Sequence, residues 1–361
     1  YPIARILVDY SVNIQPGEFV PIEGTPEGAP LLLAVYERVL QRGGHPWLRL
    51  GLDEAAEILY KVASDEQLDY VPNIVRQLVE DADARIAVWT ETNTKGLTNV
   101  DPAKQARAQS ARRPVTERFL ERAANKELKW TATVYPTYAF AQDAEMSLRE
   151  FEELLFSAAL IYEPDPIAAW RAMGQEQQKL IDWLSDKDQV RLLGPDTDLS
   201  LSIKGRSWVN CAGHENFPDG EIFTGPVEDR VNGHVRFTYP ACEGGREVED
   251  VRLWFEQGQV VKATAAKNED FLLTMLDTDE GARYLGEFAF GTNRGVQRFT
   301  KNILFDEKIG GTVHMAAGAG YPETGSKNRS AIHWDMICDL RQGGEVWVDG
   351  VLFAKDGEFQ I

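Results

Sequence analysis

EFVPIEGTPEGAPLLLAVYERVLQRGGHPWLRL, residues 18–50, holds one complete strand–helix–strand unit. Glu18-Phe19-Val20-Pro21-Ile22 reads as a strand. A helix follows from about Pro26 to Gln41, with Leu32, Leu33, Tyr36, Val39 and Leu40 at helical spacing. Gly43-Gly44 ends it, and Trp47 to Leu50 reads as a second strand. Downstream the same rhythm continues. Asp53 is placed to cap a helix carrying Ala56, Ile58, Leu59 and Val62. Ile86-Ala87-Val88-Trp89 reads as a buried strand, followed by a helix from about Pro102 to Asn125 and a strand from Leu128 to Tyr135. Helical segments run from about Ser147 to Leu160 and from Pro166 to Leu184. A βαβα alternation of this kind predicts a doubly wound α/β domain with a mostly parallel sheet.

Near Gly194 the pattern changes. Asp198-Leu199-Ser200-Leu201-Ser202-Ile203-Lys204 alternates polar and apolar, as a half-buried antiparallel strand does. Asn232-Gly233 signals a hairpin turn before alternating Val235, Phe237 and Tyr239. Gln257-Gly258 is expected to turn another hairpin, and Asp349-Gly350 and Asp356-Gly357 two more. A boundary is therefore expected near residue 190. Residues 1–190 form the α/β domain, and residues 191–361 form a mostly antiparallel α+β domain.

The 361 residues are 43% hydrophobic and carry a formal net charge of −19. The mean hydropathy is −0.34. A field of that sign repels nucleic acid and anionic membrane surfaces and attracts divalent cations, although simple solubility or an ion-rich surface is the plainer account of it. No apolar run approaches the roughly 18–20 residues of a membrane helix, and Tyr1-Pro2-Ile3-Ala4-Arg5 does not read as a signal peptide. Cys211, Cys242 and Cys338 form no CxxC pair, which fits a reducing, cytoplasmic setting.

The chemistry-bearing residues lie in the second half. Ser330-Ala331-Ile332-His333-Trp334-Asp335-Met336 places a histidine and a carboxylate two positions apart, hence on one face of a strand. An imidazole beside a carboxylate is half of a divalent-metal site, and a hydrogen-bonded structural pair is an equal reading of those two residues alone. His314 precedes this block, with Tyr321 between. Glu221 opens a strand after the Pro218-Asp219-Gly220 turn, and Glu287 sits in Leu285-Gly286-Glu287-Phe288-Ala289-Phe290-Gly291. Cys338, at an odd offset from His333, is expected in the core. His214 and His234 are expected at the surface or behind the site. Gly310-Gly311 and Gly318-Ala319-Gly320 lack the lysine pattern of a phosphate loop.

NFPDGEIFTGPVEDRVNG, LGEFAFGTN, LFDEKIGGTVHMAAGAGYPETGSKNRSAIHWDMICDL and GGEVWVDG, with the looser match of LVDYSVNIQPGEFVPIEGTPEGAPLLLAVYERVLQRGGHPWLRL, resemble the aminopeptidase T family of metallopeptidases. That family includes thermophilic and staphylococcal leucyl aminopeptidases. The resemblance implies hydrolysis of the N-terminal residue from short peptides by a water activated between two divalent ions, which would be zinc, cobalt or manganese. It implies metal ligands at Glu221, Glu287, His314, His333 and Asp335, a site tyrosine at Tyr321, and a homodimer. Glu287 is open as ligand, general base or both, and Asp335 or Glu221 is the candidate bridge between the ions. Two alternatives remain. One is a non-haem iron ring-cleaving dioxygenase on the same scaffold, and the other is a metal-stabilised dimer module without catalysis. Retention of both Glu221 and Glu287 favours hydrolysis over the first. The clustering beside Tyr321 argues against the second.

Overall fold

Five parallel strands form the first sheet, in the order His45–Leu50, Phe19–Gly24, Ala84–Trp89, Lys129–Val134 and Asn216–Phe217. The computed structural model describes residues 1–243 and 246–361. It divides into two compact units, Tyr1–Ile167 with Gly213–Pro218, and Ala168–Ala212 with Asp219–Ile361. The first unit carries the parallel sheet and the helices that connect its strands, as the βαβα rhythm predicts. Val20, Ile22, Ile86, Val88 and Val134 are buried along it.

Two local expectations are corrected here. In the helix Ala29–Gln41 the buried side chains are Leu31, Leu32, Val35 and Val39, while Leu33 and Leu40 are 60% and 53% exposed. The run Leu31-Leu32-Leu33 offers two overlapping apolar stripes, and only packing selects one. Asp53 is not an N-cap. Leu52 precedes the helix Asp53–Val62 without a capping side chain, and the Asp53 carboxylate instead accepts from the Thr92 N–H at 3.2 Å.

In the second unit two larger antiparallel sheets surround one core, beside a two-stranded sheet of Ala241–Glu243 with Arg246–Val248. Eight strands form the larger sheet, in the order 259–264, 252–256, 231–236, 197–202, 189–194, 345–348, 351–355 and 358–359. The smaller sheet has the order His333–Asp339, Thr312–Gly318, Leu285–Gly291, Glu221–Thr224 and Val209–Cys211. Leu199, Val235, Leu253 and Phe353 from the larger sheet pack with Phe288, Met315, Trp334 and Met336 from the smaller. Burial of such side chains contributes roughly 1.5–3 kcal/mol each before entropy is counted.

The turns at 257–258, 349–350 and 356–357 form as expected, each with both residues at positive φ. Asn232-Gly233 does not turn. Both residues lie inside the strand Val231–Arg236, where Asn232 pairs with Ser200 and Gly233 with both Leu199 and Phe255. Gly233 has φ +110°, and a Cβ there would lie 2.1 Å from the Asp198 carbonyl oxygen. The glycine therefore serves a close backbone approach.

Candidate metal centre

The smaller sheet explains why five side chains distant in sequence meet. Asp335 stands opposite Ala316, and Ala316 stands opposite Glu287. His333 pairs with Gly318, His314 with Ala289 and Glu221 with Gly291. Since faces alternate every residue, these registers put Glu221, Glu287, His314, His333 and Asp335 on one face of four adjacent strands. The opposite face, with Phe288, Phe290, Val313, Met315, Trp334, Met336 and Cys338, lies in the core. Small partners, Ala316 and Gly318, leave room between the polar groups. A β-bulge between Leu285 and Glu287 adjusts the direction of the glutamate.

Glu287 lies between the two imidazoles. Its Oε1 is 3.3 Å from His314 Nε2 and its Oε2 is 3.5 Å from His333 Nε2. His314 Nε2 is also 3.1 Å from Glu221 Oε2, and His333 Nε2 is 3.4 Å from Asp335 Oδ2. Ligand-type atoms of Glu287, His314 and Asp335 all lie within 4.8 Å of one another, as do those of Glu221, Glu307 and His314. Glu221, Glu287 and His314 are buried.

The residues fit a cation on two counts. The His333 Nδ1 contact to the Ala319 carbonyl, 2.7 Å, makes Nδ1 the donor, because a carbonyl only accepts. In the neutral ring Nε2 then turns a lone pair toward two carboxylates, an arrangement that needs a proton or a metal ion between them. Asp335 Oδ1 is likewise buried and accepts no hydrogen bond from the described residues.

The protonation equilibria state the same demand for positive charge. Burial opposes the imidazolium of His314, but Glu221 and Glu287 outweigh it and raise its pKa well above the usual value. Burial likewise opposes charge on His333, and Asp335 with Glu287 overrides it, raising it to about 10. Glu221 is pulled down to about 2 against its burial by the Lys308 ammonium and His314. Asp335 is lowered against burial by His333, whereas burial and the neighbouring carboxylates raise Glu287 despite His314. Tyr321 is 41% exposed and packs its ring against Phe223 and His333, with centroids 5.1 Å away in each case.

Several residues around the centre escape a reading of the sequence. Lys308, 1% exposed in its side chain, lies 2.6 Å from Glu221 and 2.6 Å from Glu307. In the sequence it reads as a surface lysine after a glutamate. Asp219 lies 3.5 Å from the same ammonium. It stands two residues before Glu221, the spacing that marks His333 and Asp335, but Pro-Asp-Gly reads as a turn. Cys211 places its sulfur within 4.8 Å of ligand-type atoms of Asp219 and Glu221. Gln177, from the helix Pro166–Leu184, donates to the carbonyls of Glu221 and Cys211 at 3.0 and 3.1 Å and fixes the start of the Glu221 strand. Cys338 is buried, as expected. His234 stacks on Trp254, and His214 lies tilted against Tyr10.

Carboxylates and imidazoles gathered on one sheet face define the donor set of a metalloenzyme. The family profile described as thermophilic metalloprotease (M29) matches residues 2–359. The chain belongs to that family and is a metallopeptidase, a hydrolase. It is 28% identical over 396 residues to Aminopeptidase 2 of Geobacillus stearothermophilus, covering 98% of this chain and 94% of that one. To Aminopeptidase T of Thermus thermophilus it is 29% identical over 350 residues, 89% of this chain and 84% of the relative. The solved structure of wild-type AmpT from Thermus thermophilus matches with a TM-score of 0.87 at 27% identity, covering 99% of this chain and 98% of the other.

Proposed function

We propose that the chain is an aminopeptidase that removes the N-terminal residue from short peptides, using two divalent ions held by Glu221, Glu287, His314, His333 and Asp335. The observation that carries the reading is the position of Glu287, with one oxygen toward each imidazole. That placement suits a carboxylate shared between two ions, a role the sequence reading gave to Asp335 or Glu221. Zinc, cobalt and manganese all suit a mixed nitrogen and oxygen donor set without sulfur. A pair of such ions lowers the pKa of a shared water, polarises the scissile carbonyl and accepts the substrate's free α-amine.

The protein's own groups do the rest. Burial and the surrounding carboxylates Glu287, Asp335, Glu307 and Glu221 push the Tyr321 phenol up, so it stays protonated. A protonated phenol is a hydrogen-bond donor for the oxyanion that develops at the carbonyl. The acid-rich face favours a substrate end bearing an amine over an internal peptide segment. The relatives' names support the exopeptidase assignment. A cytoplasmic homodimer is the setting that completes the proposal. No helix among the described residues is long and apolar enough to cross a membrane. The dioxygenase and non-catalytic readings are set aside, because family and relatives are peptidases.

The test is release of p-nitroaniline from leucine p-nitroanilide after addition of cobalt or zinc, with loss of activity on chelation. Glu221→Gln and His333→Ala should each abolish hydrolysis in a folded chain. Wild-type turnover in either variant would remove the site assignment.

A further inference from the structure

Lys308 is a buried cation beside the proposed metal ligands. We propose that its ammonium permanently occupies the Asp219–Glu221–Glu307 side of the cluster, so that Glu221 offers one oxygen, Oε2, to the metal pocket. This inference rests on the metal-site reading and deepens it by assigning Lys308 as the positioning residue of Glu221.

The ammonium is surrounded by three ion pairs rather than by aligned hydrogen bonds. Lys308 Nζ has Glu221 Oε1 at 2.6 Å, Glu307 Oε1 at 2.6 Å and Asp219 Oδ1 at 3.5 Å. A buried charge persists only where such partners compensate its lost hydration. The backbone is fixed to match. The Lys308 N–H donates to the Phe305 carbonyl at 3.0 Å, and the Lys308 carbonyl accepts from the Asn293 N–H at 3.1 Å. Asn293 Nδ2 in turn donates to the Asp219 carbonyl at 2.7 Å. One asparagine thus ties the lysine segment to the segment that carries Asp219 and Glu221.

The same corner carries metal-type donor sets. Asp219, Glu221 and Cys211 gather their ligand atoms within 4.8 Å, and so do Glu221, Glu307 and His314. With the ammonium in place, a divalent ion there would be repelled at contact distance. Glu221 Oε1 is committed to the lysine, and Oε2 faces His314. The lysine therefore keeps Glu221 single-toothed and keeps a divalent ion out of the corner.

The experiment compares wild type, Lys308→Met and Lys308→Arg, each stripped with chelator and dialysed against the same free cobalt concentration. Bound cobalt per chain is measured by elemental analysis, with circular dichroism as the check on folding. Lys308→Met should take up one more ion per chain than wild type, because a cation position is vacated. Lys308→Arg, which keeps the charge, should match wild type. A folded Lys308→Met chain with the wild-type count or fewer overturns the proposal. Should that variant fail to fold, a cobalt-loaded crystal structure of the wild-type chain decides. Nζ within about 3 Å of Glu221 Oε1 supports the proposal, and both Glu221 oxygens turned to the ion with the ammonium displaced overturns it. A wild-type chain that binds no cobalt removes the metal-site reading itself, a result distinct from any difference between variants.

Discussion

Tyr321 keeps its proton at neutral pH, because burial and the acids around it push the phenol up. The ring is held by Phe223 and His333, so removing the hydroxyl alone leaves its packing intact. Tyr321→Phe should therefore lower kcat by about 10²-fold, the scale of one lost oxyanion donor, with KM and bound metal close to wild type. Steady-state kinetics with metal analysis on the same preparation checks this. A fall in bound metal would instead make the phenol a ligand. Its place in the sequence, among glycines after His314, is legible only through family resemblance. Nothing in the local pattern distinguishes it from a loop tyrosine. Lys308 was less legible still. A lone lysine beside a glutamate reads as a surface pattern, and its burial depends on two further carboxylates, Asp219 and Glu221, supplied by another segment.

Strand register is what turns scattered residues into a site, so changes that disturb register should reach the chemistry. Gly286 forms the bulge next to Glu287, and a Cβ there would lie 2.1 Å from the Ala319 carbonyl oxygen. Gly286→Ala should cost about 1–3 kcal/mol, read from denaturant unfolding, and should lower activity beyond what stability explains. Wild-type activity at reduced stability would separate the bulge from the aim of Glu287. At the far end of the His333 strand, Asp339 accepts from Arg341 Nε at 2.9 Å and from the Tyr239 hydroxyl at 3.1 Å. Burial works to raise its pKa, and Arg341 outweighs it and holds the carboxyl below the usual range. A depressed acid contributes stability above its unfolded pKa, about 3.9, and loses it as pH falls through the folded value. Asp339→Asn should cost about 1 kcal/mol between pH 5 and 7, and the gap to wild type should close below about pH 4. Melting curves across that range test it, and a gap that persists at pH 3 would exclude the charge. The same logic separates what could be read beforehand from what could not. Alternation predicted the strands at 197–202 and 333–339, because each has one apolar face. Asn232-Gly233 misled, because a glycine needed for close strand approach looks the same as a turn glycine. The helix Pro166–Leu184 was expected ahead of a break near residue 190, whereas it falls within the second unit from Ala168 onward, where Leu180, Trp183 and Leu184 join the core. Periodicity locates a helix but does not say which core receives it.

On the scale of the whole chain, the two units should respond differently to metal. Asp219, Glu221, Glu287, Glu307 and Asp335 gather in the second unit around the Lys308 ammonium and two imidazoles. Without divalent ions, protons on His314, His333 and the Glu307 carboxyl, which burial raises to about 8, stand in for the missing positive charge. The first unit has its own parallel sheet and its own buried residues, and the proposed ligands all lie outside it. An ion that binds only the folded state adds RT ln(1 + [L]/Kd), about 4 kcal/mol at a thousandfold excess over Kd. Cobalt or zinc should therefore slow amide exchange in the strands Glu221–Thr224, Leu285–Gly291, Thr312–Gly318 and His333–Asp339, while the strands 19–24, 84–89 and 129–134 exchange as before. Hydrogen exchange by mass spectrometry, run with metal and with chelator, makes the comparison on one sample. Equal protection in both units would show that the ion acts on the chain as a whole, and no protection in the four strands would place the binding site elsewhere. The net charge of −19 sharpens the design. Diffuse surface attraction of divalent ions is screened by salt within about 8–10 Å, whereas ions held in a buried pocket are not. The unit-specific protection should thus survive 0.5 M sodium chloride.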